Sequence, residues 1–188
     1  TLDLHKWLHV PFEAACVLVR DRKAHREAFA LTPEYLEKTE RGLASGALWF
    51  SEYGLQLSRG FRALKVWLSI KEHGLDRFGR LIDRNIAQAH ELAALVQAEP
   101  DLELLAPVAT NIVCFRYNPG GLSDEQLNAL NEELLIRLHE SGIAAPSYTT
   151  LHGCYCLRAA IVNFRTTSAD LPVLVSAVRE IGASLPRP

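Results

Sequence analysis

With 188 residues, 48% hydrophobic and 22% charged, the chain has an ordinary globular composition and room for one large or two small cores. A net charge of −2 supplies no global field to gather nucleic acid or an anionic membrane. No apolar run reaches the ~18 residues of a transmembrane helix, no signal-peptide pattern is present, and four cysteines do not make a disulfide framework, so the expected compartment is the cytoplasm.

The chain opens on Thr1-Leu2-Asp3-Leu4-His5-Lys6-Trp7. Leu2 and Leu4 alternate with Asp3 and His5, the period of a strand with one apolar side. That strand delivers Lys6 to its C-terminal end, where ligands bind in α/β proteins. A lysine between an imidazole and an indole is a candidate nucleophile toward a carbonyl compound, with partial burial favouring its neutral amine. The alternative is a surface lysine after an edge strand. Proteins rarely open inside a buried strand, so the chain is expected to be a fragment or one chain of a cleaved larger protein. Pro11-Phe12-Glu13 turns the backbone, and residues 14–20 read as a buried returning strand that would pin Lys6 from both sides. Asp21 caps a short helix through Lys23, His25, Arg26 and Phe29, and Thr32-Pro33-Glu34 opens another.

Over residues 40–58 the periodicity breaks down. Glycines punctuate an aromatic-rich stretch holding Trp49, Phe50 and Tyr53, which reads as a lid or a packed Ω-loop, mobile without ligand, or as ordinary packing residues. A helix then runs from an N-cap at Ser58, with Phe61, Leu64, Trp67 and Leu68 on its apolar side. Arg59, Arg62 and Lys65 form a basic stripe suited to a phosphate, to a partner carboxylate or simply to solvent. Gly74 ends that helix. Residues 76–97 form the longest one, taken as a link between a domain at 1–98 and a smaller α+β domain at 99–188.

Past Pro100, strands are expected at 102–105 and 111–117, with a turn at Asn118-Pro119-Gly120-Gly121 and a helix capped by Ser123 or Asp124. Strands at 145–150 and 155–164 and a helix at 171–185 capped by Ser168 follow. The order β-β-α-β-β-α predicts an antiparallel sheet with helices on one face. His152-x-Cys154-x-Cys156 has neither the usual two-to-four cysteine spacing nor a full set of four ligands, so no metal is expected. Arg158 is a charge in an apolar strand, which calls for an acidic ligand or a structural ion pair.

Three stretches carry a family resemblance: Asp3-x-His5-Lys6-Trp7, Arg59-x-Phe61-Arg62-Ala63-Leu64-Lys65-x-Trp67 and Leu157-Arg158-x-Ala160. In order and at similar intervals, they resemble the group II pyridoxal-phosphate-dependent decarboxylases, in particular the aromatic-L-amino-acid branch. The resemblance implies an α/β fold: the end of the large cofactor domain and the small C-terminal domain of a fold-type I enzyme. It implies pyridoxal 5'-phosphate on Lys6 with His5 and Asp3 beside it, although many aromatic-acid members carry Asn-Pro where this chain has Asp3-Leu4. A carboxylate at that place would repel the cofactor phosphate. It implies a mobile active-site loop with a catalytic tyrosine, which falls on or next to Phe50 or, with a small shift, on Tyr53. Phenylalanine there is associated in some members with an oxidative, aldehyde-forming outcome. Arg158 would hold the substrate carboxylate, and Trp49 would contact the substrate. The implied partners are an amino acid, a second copy of the chain and a missing N-terminal half; neither nucleic acid nor membrane is among them. The phosphate-binding loop, the ring-stacking histidine and the aspartate on the pyridine nitrogen belong to that half, so residues 1–188 alone are expected to be inactive. The competing reading is a non-catalytic dimerisation or scaffold module.

Overall fold

A computed structural model describes residues 1–31, 39–42, 45–46 and 48–186. The helix expected at Thr32-Pro33-Glu34 lies outside the described residues. The chain divides into two compact units, Thr1–Gly74 and Leu75–Pro188. The division falls at Gly74 and not after residue 98, because the long helix buries its apolar stripe in the C-terminal core.

The N-terminal unit is made of short elements. Strand β1 (Leu2–Asp3) pairs antiparallel with β2 (Ala15–Cys16). The strand expected over 14–20 shrinks to two residues and leaves Val17, Leu18 and Val19 exposed, since a strand persists only where a ladder partner takes its backbone groups. Helix α1 (Arg22–Phe29) starts as the sequence predicts, the Asp21 carboxylate accepting from the amides of Lys23 and Ala24. The aromatic stretch holds a 3-10 turn, Phe50–Tyr53. Helix α2 (Arg62–His73) begins at Arg62 with Phe61 in the N-cap place and no side-chain cap, so Ser58 does not serve it. Gly74 closes α2 with φ +74, as its left-handed backbone allows.

The C-terminal unit runs α3 (Leu75–Ala98), β3 (Leu102–Leu104), β4 (Ile112–Tyr117), α4 (Asp124–Glu140), β5 (Ser147–Leu151), β6 (Cys154–Ala160) and α5 (Asp170–Ser184). Its sheet is antiparallel throughout, in the order β3-β4-β6-β5. The register Val113↔Ala159 and Phe115↔Leu157 puts these four side chains on one face. There they share a core with Leu92 and Val96 of α3, Leu134 and Leu138 of α4, and Val175 and Val178 of α5. This is the expected sheet with helices on one face. Each fully buried aliphatic in it contributes about 1.5–3 kcal/mol.

Ser123 is the cap of α4, in a reciprocal box with Gln126. Ser168 does not cap α5: its hydroxyl donates to Glu91, and the Asp170 carboxylate accepts from the Thr167 amide and hydroxyl. Among the described residues no helix is long and apolar enough to cross a membrane, and no three His, Cys, Asp or Glu side chains gather in metal-binding reach. Cys156 donates to the Thr149 carbonyl at 3.3 Å, and burial together with the nearby Cys114 pushes its thiol up to about 11.

Candidate active site

Lys6 is presented by a tight hairpin. The Lys6 amide donates to the Asp3 carbonyl at 3.1 Å, and His9, at φ +53, sends the chain back so that the Val10 amide reaches the Leu4 carbonyl at 3.2 Å. His5 ties the returning strand twice: its amide (3.0 Å) and its Nδ1 (2.8 Å) both meet the Ala14 carbonyl oxygen. Nδ1 also lies 3.2 Å from the Ala14 amide nitrogen, so it donates to the Ala14 carbonyl in one tautomer and accepts from the Ala14 amide in the other. The His5 ring meets Phe12 edge-on at 5.0 Å. Lys6 Nζ stands 2.5 Å from Asp3 Oδ2, with 67% of its side chain exposed. The expected partial burial is therefore not met in this unit, because the turn aims the side chain outward and Asp3, on the same side, pairs with it. The hydrogen bond from Lys6 holds the Asp3 carboxyl below its usual range.

The basic stripe of α2 turns back to this hairpin. Arg62 donates through Nε to Glu13 Oε1 at 2.9 Å and through Nη2 to the same oxygen, while Nη1 reaches Gln56 Oε1 at 3.4 Å. Of the partners the sequence left open for Arg62, this unit supplies the carboxylate. Arg62 in turn lowers the Glu13 carboxyl below the ordinary glutamate value.

Phe50 and Tyr53 lie on the 3-10 turn, with Trp49 in its N-cap place, and the turn packs against α1. Tyr53 accepts at its hydroxyl from Arg22 Nε (3.1 Å), and its ring meets His25 edge-on at 5.3 Å. Phe50, with no hydroxyl, is 70% exposed. Between them Glu52 is buried and takes both nitrogens of the Arg26 fork, at 2.8 and 2.9 Å.

Arg158 belongs to the C-terminal unit. On the open face of the sheet it lies opposite Cys114 on one side and Ser147 on the other, a less apolar setting than expected. Its Nη1 donates to Ser147 Oγ at 3.3 Å, and among the described residues it forms no ion pair. Arg116, on the same face, is paired with both Glu103 and Asp124. Arg158 lines a cleft of about 640 Å³ whose other walls include Ile143, Pro146, Val162, Leu171 and Leu174. Ser147, Asn163, Thr166 and Asp170 line the same cleft, so Arg158 stands in a mixed setting that suits a ligand with a carboxylate and further polar groups beside an apolar part.

The model of the pyridoxal-dependent decarboxylase conserved domain matches residues 1–118, from the lysine hairpin through β4. The chain belongs to that family. It is 36% identical over 182 residues to an aromatic-L-amino-acid decarboxylase of Bacillus atrophaeus, covering 96% of this chain and 38% of that one. It is 31% identical over 160 residues to a phenylacetaldehyde synthase of Arabidopsis thaliana, covering 85% and 32%. Its fold matches the crystal structure of Oryza sativa TDC with PLP and tryptamine at a TM-score of 0.86, with 23% identity over 96% of this chain and 38% of that one. The mixed α/β fold is thus that of the C-terminal part of the fold-type I decarboxylases, and the chain spans 38% of the length of the Bacillus relative.

Sequence reasoning missed Glu52, Arg26 and Glu13. Glu52 carried a faint signal, as an acid inside an aromatic stretch. The other two gave none, because their partners lie 26 and 49 positions away.

Proposed function

We propose that the whole protein is a pyridoxal-phosphate-dependent decarboxylase of L-amino acids, aromatic ones first, working as a cytoplasmic homodimer with the rest of its cofactor domain in place. The observation that carries this reading is the presentation of Lys6, flanked by Asp3 and His5, at the end of β1, where the family motif puts its cofactor lysine. The hairpin fits such a group. Nζ is open to solvent, and its ion pair with Asp3 Oδ2 sets its direction; the form that attacks a carbonyl carbon is the neutral amine released from that pair. Asp3 does not suit the cofactor phosphate, since an ionised carboxylate repels it, so that anion needs other donors. Bound pyridoxal phosphate supplies an electron sink for the bond between Cα and the departing carboxylate. By resemblance to the family, Arg158 is assigned the substrate carboxylate, Trp49 a substrate contact, and Phe50 or Tyr53 the position from which a proton returns to Cα.

A second outcome is favoured by Phe50. Its ring is the exposed one on the turn and carries no proton to give, while the Tyr53 hydroxyl is engaged by Arg22. The same family includes a phenylacetaldehyde synthase. Incubating the full-length protein and pyridoxal phosphate with aromatic L-amino acids, and analysing the products, tests both readings. Amine and carbon dioxide support the decarboxylase, and aldehyde supports the oxidative form. Neither product, together with an absorption spectrum indifferent to the cofactor, would leave the scaffold reading.

A further inference from the structure

The Phe50–Tyr53 turn has little of its own to hold it. It is four residues long, has no side-chain N-cap, and is closed by the Glu52 amide donating to the Trp49 carbonyl at 3.1 Å. Such a turn does not persist alone. One face of α1 docks it, where Arg22, His25 and Arg26 stand at positions i, i+3 and i+4. Arg22 holds the Tyr53 hydroxyl, His25 meets the Tyr53 ring, and Arg26 grips Glu52 with a two-pronged fork. The Glu52 side chain is only 6% exposed, and a carboxylate so placed is tolerated only with its partner.

We propose that Arg26 and Glu52 form a latch that fixes this turn on α1 and so sets where Phe50 and Tyr53 are presented. Both are positioning residues, since neither ring is theirs and their effect passes through the turn. The consequence for chemistry rests on the decarboxylase reading; the latch itself does not.

The test uses the full-length protein loaded with pyridoxal phosphate, in the variants Glu52→Gln, Arg26→Gln and the double change. Hydrogen exchange of the turn amides should rise about tenfold or more in either single variant, with α4 and β4 unchanged as an internal control for folding. The double variant should raise exchange by clearly less than the two single effects combined, because both changes remove the shared Arg26–Glu52 pair. Turnover should fall while the cofactor spectrum and amino-acid KM hold. Turn amides as protected as in the parent, or effects of the two changes that simply add, would overturn the latch. Faster exchange with unaltered turnover would overturn its positioning role. A protein that takes up no cofactor would count against the decarboxylase reading alone, and the exchange data would still decide the latch.

Discussion

Arg62 of α2 and Glu13 of the lysine hairpin, 49 positions apart, are joined by a guanidinium fork on one carboxylate oxygen. The second family stretch is thereby tied to the first: the helix that follows the aromatic turn anchors the loop that carries Lys6. Because Arg62 depresses the Glu13 pKa, the pair stabilises the hairpin above the ordinary glutamate value of 4.5 and loses that contribution as pH falls through the lowered value. A carboxyl NMR titration should place Glu13 below the ordinary range in the parent and return it there in Arg62→Gln. An unmoved titration in the variant would break the assignment.

Asn131 is the polar centre of the C-terminal core. It accepts from the Tyr117 amide (2.8 Å) and donates to the carbonyls of Tyr117 (2.9 Å) and Leu127 (2.8 Å). Asn131→Leu keeps the branched shape, with bulkier methyl groups, and orphans the buried groups of Tyr117. At about 1–3 kcal/mol for each unsatisfied group, exchange-derived stability of β4 should drop by at least about 2 kcal/mol. A loss below half that would mean water reaches the site.

Gly182 of α5 lies against the Tyr117 ring, and a Cβ there would stand 2.6 Å from Tyr117 Cδ1. Gly182→Ala gains helix propensity yet forces that ring to move, so the expected net is a loss of about 1–3 kcal/mol. Hydrogen exchange of α5 and β4 reads it; a gain in protection would show that the ring relaxes freely.

How much of this was legible in the sequence depends on where the information sits. Leu157 and Ala159 alternating with Arg158, and the glycine-marked turns, announced the C-terminal sheet and its buried face, because period and punctuation are local. The shortening of β2 was not legible: Val17, Leu18 and Val19 have strand character, but a strand is defined by its neighbour. Nor was the cap of α2, where Ser58 offered the right side chain at the wrong place and Phe61 took the position. The hairpin around Lys6 was legible as a turn, whereas the outward aim of its side chain depends on the pairing with Asp3.

Arg158 has Ser147 as its polar partner and no carboxylate among the described residues, which separates two roles experimentally. Arg158→Leu in the full-length protein should leave the melting temperature nearly unchanged. It should weaken amino-acid binding about ten- to a hundredfold, the equivalent of losing a charge-assisted bond of roughly 1.5–3 kcal/mol. A lowered melting temperature with intact affinity would instead assign the guanidinium to structure.

The central claim is that Lys6 carries the cofactor, and chemical trapping tests it most directly. Full-length protein incubated with pyridoxal phosphate is reduced with borohydride, digested and mapped by mass spectrometry. The expected result is a phosphopyridoxyl group on the peptide containing His5-Lys6-Trp7, absent from Lys6→Ala. A label on another lysine, or none in a protein that is otherwise folded, would contradict the assignment.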